Sequence, residues 1–209
     1  MNPARTASAG ATRTLPLTRF PTVRAPVSCD DLERVELNAA NDARGQRAVA
    51  DLLQSWARRA VPGDSVSRGR LLVAASEHAA FAGDASRALR LARQALATGD
   101  VVAPDTRCYV VSALLVCGHL REAVVLADEV LDSRGDDVDV YLHLGEEFSW
   151  HRQAEEASRI YTLGMFRCAG DDDATEQLLG AWRRGRAPRT LDLRERLAAA
   201  VPAQGGGLD

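Results

Sequence analysis

Between about residue 31 and residue 171, apolar side chains return every three or four positions in runs of 12–16 residues, each closed by a short polar break. Leu71, Leu72, Ala75, His78 and Ala79 share one stripe of a helical wheel, and Ala88, Leu91, Ala92 and Ala95 share the next. The breaks are Gly83-Asp84, Gly99-Asp100, Gly118-His119, Gly135-Asp136-Asp137 and Gly170-Asp171. Glycine ends a helix because it enters the left-handed region without steric cost, and aspartate opens the next by accepting bonds from free amides. No stretch alternates with a period of two, so the pattern predicts an all-α chain.

The breaks recur at an interval. Gly83 and Gly118 stand 35 residues apart, and each is followed five residues later by an alanine, Ala88 and Ala123. A further step of 34 reaches Ala157, and Gly45 with Ala50 gives an earlier, weaker copy that ends near Pro62. Two helices per unit and a period near 34 predict a helical solenoid, because one pair cannot cover its own apolar stripe and must stack on a neighbour. The alanine falls early in the second helix, where a larger side chain would hold the paired helices apart.

On these residues the chain resembles the tetratricopeptide repeat (TPR) family. The best unit spans 138–171, with Tyr141, Leu144, Gly145 and Phe148 in the first helix and Ala157 and Tyr161 in the second. Units 69–102 and 104–137 match through Gly83, Ala88, Ala92 and Ala95, and through Gly118, Ala123 and Ala127. Unit 31–64 is degenerate, keeping Leu37, Gly45, Ala50, Ala57 and Pro62. Two departures stand out: Val111 where the family favours glycine, and Arg152 at an inter-helix turn. The resemblance implies a right-handed superhelical solenoid of antiparallel helix pairs over 30–171.

The ends read differently. Residues 1–29 carry Arg5, Arg13, Arg19 and Arg24, four prolines and no acid, which predicts a flexible arm rather than a packed element. Asp171-Asp172-Asp173 opens a helix over about 173–185, Pro188 breaks it, and Leu191, Leu193 and Leu197 carry a last helix over 190–201. Residues 172–201 are thus expected to cap the array, with 202–209, including three glycines, as a disordered tail.

Composition narrows the function. A formal charge of −3 argues against a globally basic nucleic-acid binder, and no apolar run is long enough to cross a bilayer. Cys29, Cys108, Cys117 and Cys168 form no C-x-x-C pair, as expected of reduced thiols in a cytoplasmic protein. Every one of the 26 basic residues is arginine, a chain-wide habit of the kind GC-rich bacterial genomes show and not a property of one site.

The TPR resemblance implies partner binding along a concave face lined by the first helix of each unit. The rows transferred to this chain are Arg70, Asp105 and Asp139; Val73, Cys108 and Leu142; and Glu77, Ser112 and Glu146, continued by Phe81, Leu115 and Ser149. Four carboxylates against one arginine make that face acidic, and 128–147 adds to it with eight acids and one arginine. Such a groove suits a basic or amphipathic partner segment, with the apolar positions as anchors. The arm, with Arg19, Phe20 and Arg24, could occupy it in cis or, in a dimer, in trans; a homodimer could also form through an exposed solenoid end. The family's carboxylate clamp is absent, since its positions hold Val73, Glu77, Tyr109, Asp139 and His143.

Other chemistry finds little support. His143, Glu147 and His151 are spaced by four, but the H-x-x-E-E string lacks the second histidine of a metallopeptidase motif, so no metal is expected. Glu77 and Glu146 are the only carboxylate pair considered for acid–base work; without a phosphate loop, a nucleophile elbow or sugar-stacking aromatics the chain reads as non-enzymatic and cofactor-free. Arg183, Arg184, Arg186 and Arg189, beside Trp182, form a basic cluster whose commoner meaning is helix C-terminal capping rather than nucleic-acid contact. The reading is therefore an adaptor, with a ligand-sensing module or an accessory subunit of a bacterial biosynthetic pathway as the alternative.

Overall fold

Aspartate and serine side chains start most of the helices in the computed structural model, which describes residues 24–186. Among these residues the chain forms nine α-helices: α1 (Cys29–Leu37), α2 (Ala43–Arg58), α3 (Arg68–Phe81), α4 (Ala85–Leu96), α5 (Thr106–Val116), α6 (Leu120–Ser133), α7 (Val138–Trp150), α8 (Ala154–Arg167) and α9 (Asp172–Arg186). Ser28 and Asp31 close a capping box on α1, and Asp42, Ser67, Asp84, Asp105 and Asp137 each accept from a backbone amide in the first turn of the next helix. All five Gly-containing breaks read from the sequence fall between helices.

Consecutive helices pack on one another from α2 to α5 and again from α5 to α9, and α3, α5, α7 and α9 also touch in series. The apolar stripes supply the contact: Ala88, Leu91, Ala92 and Ala95 are fully buried, as are Leu71, Leu72, Ala75 and Ala79 within a few per cent. α5 is apolar nearly all round because α3, α4, α6 and α7 surround it. The core falls into two clusters, one from Val27 to Val102 and one from Leu89 to Ala181, with α4 contributing to both.

Three inter-helix turns share one hydrogen-bond scheme. The amides of Ala82, Gly83 and Asp84 donate to the carbonyls of His78, Ala80 and Ala79; Cys117, Gly118 and His119 donate to Ala113, Leu115 and Leu114; His151, Arg152 and Gln153 donate to Glu147, Ser149 and Phe148. The middle residue is left-handed each time, with φ of 78° at Gly83, 75° at Gly118 and 61° at Arg152. Arg152, a departure in sequence, is no departure in backbone.

Large and small residues interlock between α7 and α8. A Cβ on Gly145 would come within 2.5 Å of the Tyr161 ring, and one on Gly164 within 2.7 Å of the Tyr141 ring. Both tyrosines are fully buried, so each glycine leaves room for the ring of the facing helix.

The N-terminal boundary expected at residue 29 shifts. Arg24 makes a two-pronged ion pair with Asp64 at 2.7 and 2.6 Å, and Asp64 also accepts from the Val27 and Val61 amides. These bonds hold the Asp64 carboxyl well below the usual carboxylate range, with the Arg24 hydrogen bond as the largest cause. Val27 is buried in the first core cluster. Residues 24–28 therefore belong to the folded unit, and Arg24 is committed to Asp64 rather than to the α3/α5/α7 face. Residues 1–23, the expected helix over 190–201 and the tail at 202–209 lie outside the described residues, as does the junction at 187–189.

Candidate functional site

The first helices of three successive pairs meet around a recess of about 420 Å³. α3 contributes Ser76, Glu77, Ala80 and Phe81, α5 contributes Tyr109, Ser112, Ala113 and Val116, and α7 contributes Glu147, Trp150 and His151. Phe81 and Trp150 sit at the ends of α3 and α7 with 69% and 58% of their surface exposed, an arrangement a core would not leave in place.

Polar groups converge on the floor. Ser112 Oγ lies 3.1 Å from the Cys108 carbonyl oxygen and 3.2 Å from His143 Nε2, and its hydroxyl donates to the Glu147 carboxylate. The His143 imidazole stacks edge-on against Tyr109 at 4.9 Å, and the Tyr109 hydroxyl donates to the Ala103 carbonyl at 2.6 Å. Burial alone holds His143 down to about 4, which keeps it neutral at pH 7. Burial pushes Glu77 up to about 7, against the lowering pull of Arg70 and reinforced by Glu36 and Glu147. Burial also raises Glu147, opposed by its bond to Ser112.

Arg70, at the other end of α3, gives its Nη2 to Glu36 at 3.1 Å and brings Nη1 only to 3.9 Å from Glu77. The recess is thus lined by two carboxylates, three aromatic rings and the His151 imidazole, with neutral His143 against Ser112 and Tyr109. Ser112 meets both the His143 imidazole and the Glu147 carboxylate.

The chain was compared with protein-family models, with curated proteins and with solved structures. None matches. The described residues therefore establish an all-helical protein whose helices pack in sequential pairs.

The transferred groove rows divide when placed in the structure. Glu77, Phe81 and Ser112 line the recess. Val73 and Cys108 are fully buried and Leu115 nearly so, which removes all three as partner anchors. The reason is that α3 and α5 are covered from two sides, by their own second helix and by the next first helix, so their buried arc is wider than a single stripe. Burial pushes the Cys108 thiol up to about 12, consistent with a core residue.

Asp105 is a correction of another kind. It caps α5 through the Arg107 amide, takes Arg107 at 2.8 Å and Arg134 at 3.4 Å, and is itself buried, so its charge is used within the chain. Ser149 lies against α9, where a Cβ on Gly185 would come within 2.8 Å of its hydroxyl, so the C-terminal helix occupies that position. Leu142 is half-buried against the second core cluster, Asp139 is exposed in the first turn of α7, and Glu146 is exposed 3.6 Å from Arg184.

Of the basic cluster, Arg183 and Arg184 are exposed on α9, Arg186 is its last residue, and Arg189 is outside the described residues. Arg184 reaches toward an acid of α7, so this arginine and that face partly neutralise one another. Among the described residues no three His, Cys, Asp or Glu side chains cluster closely enough to hold a metal ion, and no helix is long and apolar enough to cross a membrane.

The transferred rows missed Tyr109, Glu147, Trp150 and His151. A signal was present: 143, 147 and 151 share one helical face, and the structure places Glu147 and His151 4.0 Å apart. The two exposed aromatics at helix ends, each just before a turn, were the other.

Proposed function

We propose that the protein is a non-enzymatic adaptor: a short, TPR-like solenoid of about four helix pairs that binds a basic or amphipathic partner segment. The shared hydrogen bonding of the turns at 82–84, 117–119 and 151–153 supports the repeat, and the serial contacts of α3, α5, α7 and α9 support stacking. The observation that carries binding is the recess between α3, α5 and α7, where exposed Phe81 and Trp150 flank Glu77 and Glu147. Exposed aromatics beside partly desolvated carboxylates are what an interface hot spot for a cationic segment requires.

Selection of short random peptides displayed on phage against the full-length protein tests this. Enriched peptides should carry a basic residue beside an apolar one and should bind the Phe81→Ala/Trp150→Ala variant at least about tenfold more weakly. If nothing enriches, or the enriched peptides bind that variant equally well, the adaptor reading fails.

A further inference from the structure

The recess brings two carboxylates, Glu77 and Glu147, beside three aromatic rings. Ser112 bonds the Glu147 carboxylate, whereas the Ser76 and Tyr109 hydroxyls donate to the Ala88 and Ala103 carbonyls at 2.8 and 2.6 Å. Those last two protons are spent on backbone. Glu77 and Glu147 bring two carboxylates to the lining, where His151 stands 4.0 Å from Glu147 and no arginine is present. Arg70 makes its shorter contact with Glu36 and stays 3.9 Å from Glu77. The two carboxylates repel one another, since Glu147 is among the groups that raise Glu77.

The walls select among cations. Phe81, Tyr109 and Trp150 present ring faces or edges, and a guanidinium is planar, weakly hydrated and able to stack on a ring while donating along its edge. An ammonium is a compact, strongly hydrated charge that gains less from such walls. A guanidinium also carries five donors, enough to satisfy two carboxylates together. On the adaptor reading above, we propose that this recess receives one arginine side chain of the partner segment, its guanidinium bonded to Glu77 and Glu147 and flanked by Phe81, Tyr109 and Trp150.

The test uses the full-length protein and three small probes: Nα-acetyl-arginine methylamide, its citrulline counterpart (the same shape without charge) and its lysine counterpart. Titrations followed by amide and indole NMR shifts should move residues 76–81, 109–113 and 147–151 with the arginine probe. Citrulline should bind at least about tenfold more weakly, because a charge-assisted bond to a carboxylate is lost. Glu77→Gln and Glu147→Gln, both isosteric, should each weaken the arginine probe, and the effect should shrink in high salt. Equal binding of arginine and citrulline, shifts confined to other residues, or lysine binding as tightly as arginine would each overturn the assignment. If displayed peptides enrich while the arginine probe leaves these residues unmoved, the inference falls and the adaptor reading stands. Arginine binding without any enriched peptide does the reverse, leaving a small-cation site.

Discussion

The α5–α6 and α7–α8 pairs turn through the same hydrogen bonds yet fill the space between their helices differently. Counting back seven residues from the left-handed turn residue reaches Val111 in α5 and Gly145 in α7; counting forward nine reaches Ala127 in α6 and Tyr161 in α8. All four lie in the buried interior of their pairs. One pair therefore sets a medium residue opposite a small one, and the other sets no side chain opposite a large one. In α3–α4 the same count gives Ser76 and Ala92, a third combination, with the Ser76 hydroxyl satisfied by the Ala88 carbonyl. A glycine at this position is thus half of a volume match: it is needed where a tyrosine ring faces it and dispensable where an alanine does.

The sharpest way to break this comparison is to move one half of a match without the other. Gly145→Val copies the α5 residue into α7 and drives a branched side chain into a ring that a bare Cβ would already meet at 2.5 Å. A loss of about 3 kcal/mol or more is expected in urea unfolding. The double variant Gly145→Val/Tyr161→Ala copies the whole α5–α6 match and should regain a large part of that loss. Additive losses in the double variant would show that the positions are not coupled and that the volume argument is wrong.

The converse change is smaller. Val111→Gly removes a fully buried side chain and adds a helical glycine, with no ring to fill the gap. About 2 kcal/mol should be lost, less than for Gly145→Val, because a small cavity between helices can partly close. A larger loss here than at Gly145 would reverse the ranking and point to α5 as the more sensitive helix.

These matches also mark where the sequence stops being legible. The breaks and the buried alanines Ala88, Ala123 and Ala157 were readable because each is a local rule: glycine at a left-handed turn, a methyl where helices cross. The pairing of Gly164 with Tyr141 was not, since it joins positions 23 apart whose only shared property is complementary volume. The Arg24–Asp64 pair spans 40 residues and depends on where the chain enters α1, so composition alone placed Arg24 in a loose arm. For the recess, row counting located Glu77, Phe81 and Ser112 but also named Val73, Cys108 and Leu115, because it treated each first helix as having one buried side when α3 and α5 have two. Asp105 was read as a groove charge by its type, whereas its place at a helix start made it a cap.

The pairs differ again in how they treat an acid. Six residues before the left-handed turn residue stand Glu77 in α3, Ser112 in α5 and Glu146 in α7; Glu77 lines the recess while Glu146 stands at the surface. With Glu77 raised to about 7 from the ordinary 4.5, the folded chain holds a proton there that the unfolded chain releases between those values. Its contribution to stability therefore falls as pH rises through that window. His143, held at about 4, acts in the opposite sense: its contribution is lost as pH falls from 6.5 toward 4. Comparing a variant with the parent isolates one group. Glu77→Gln should gain stability relative to the parent on going from pH 5 to pH 8. A constant difference for Glu77→Gln across that range would remove the claim that the recess strains this carboxylate.

The smallest expected effect lies at the turns themselves, where the three pairs agree most closely. Gly83 and Gly118 have nothing within 4 Å of a built Cβ, so replacing either by alanine tests the left-handed backbone and nothing else. Each should cost about 1 kcal/mol. Arg152 already bears that cost at φ 61°, so of two variants that both lose its side chain, Arg152→Gly should be more stable than Arg152→Ala by about 1 kcal/mol. If Arg152→Gly is instead no more stable than Arg152→Ala, the third turn does not share the backbone cost of the other two, and the equivalence of the three turns would rest on hydrogen bonding alone.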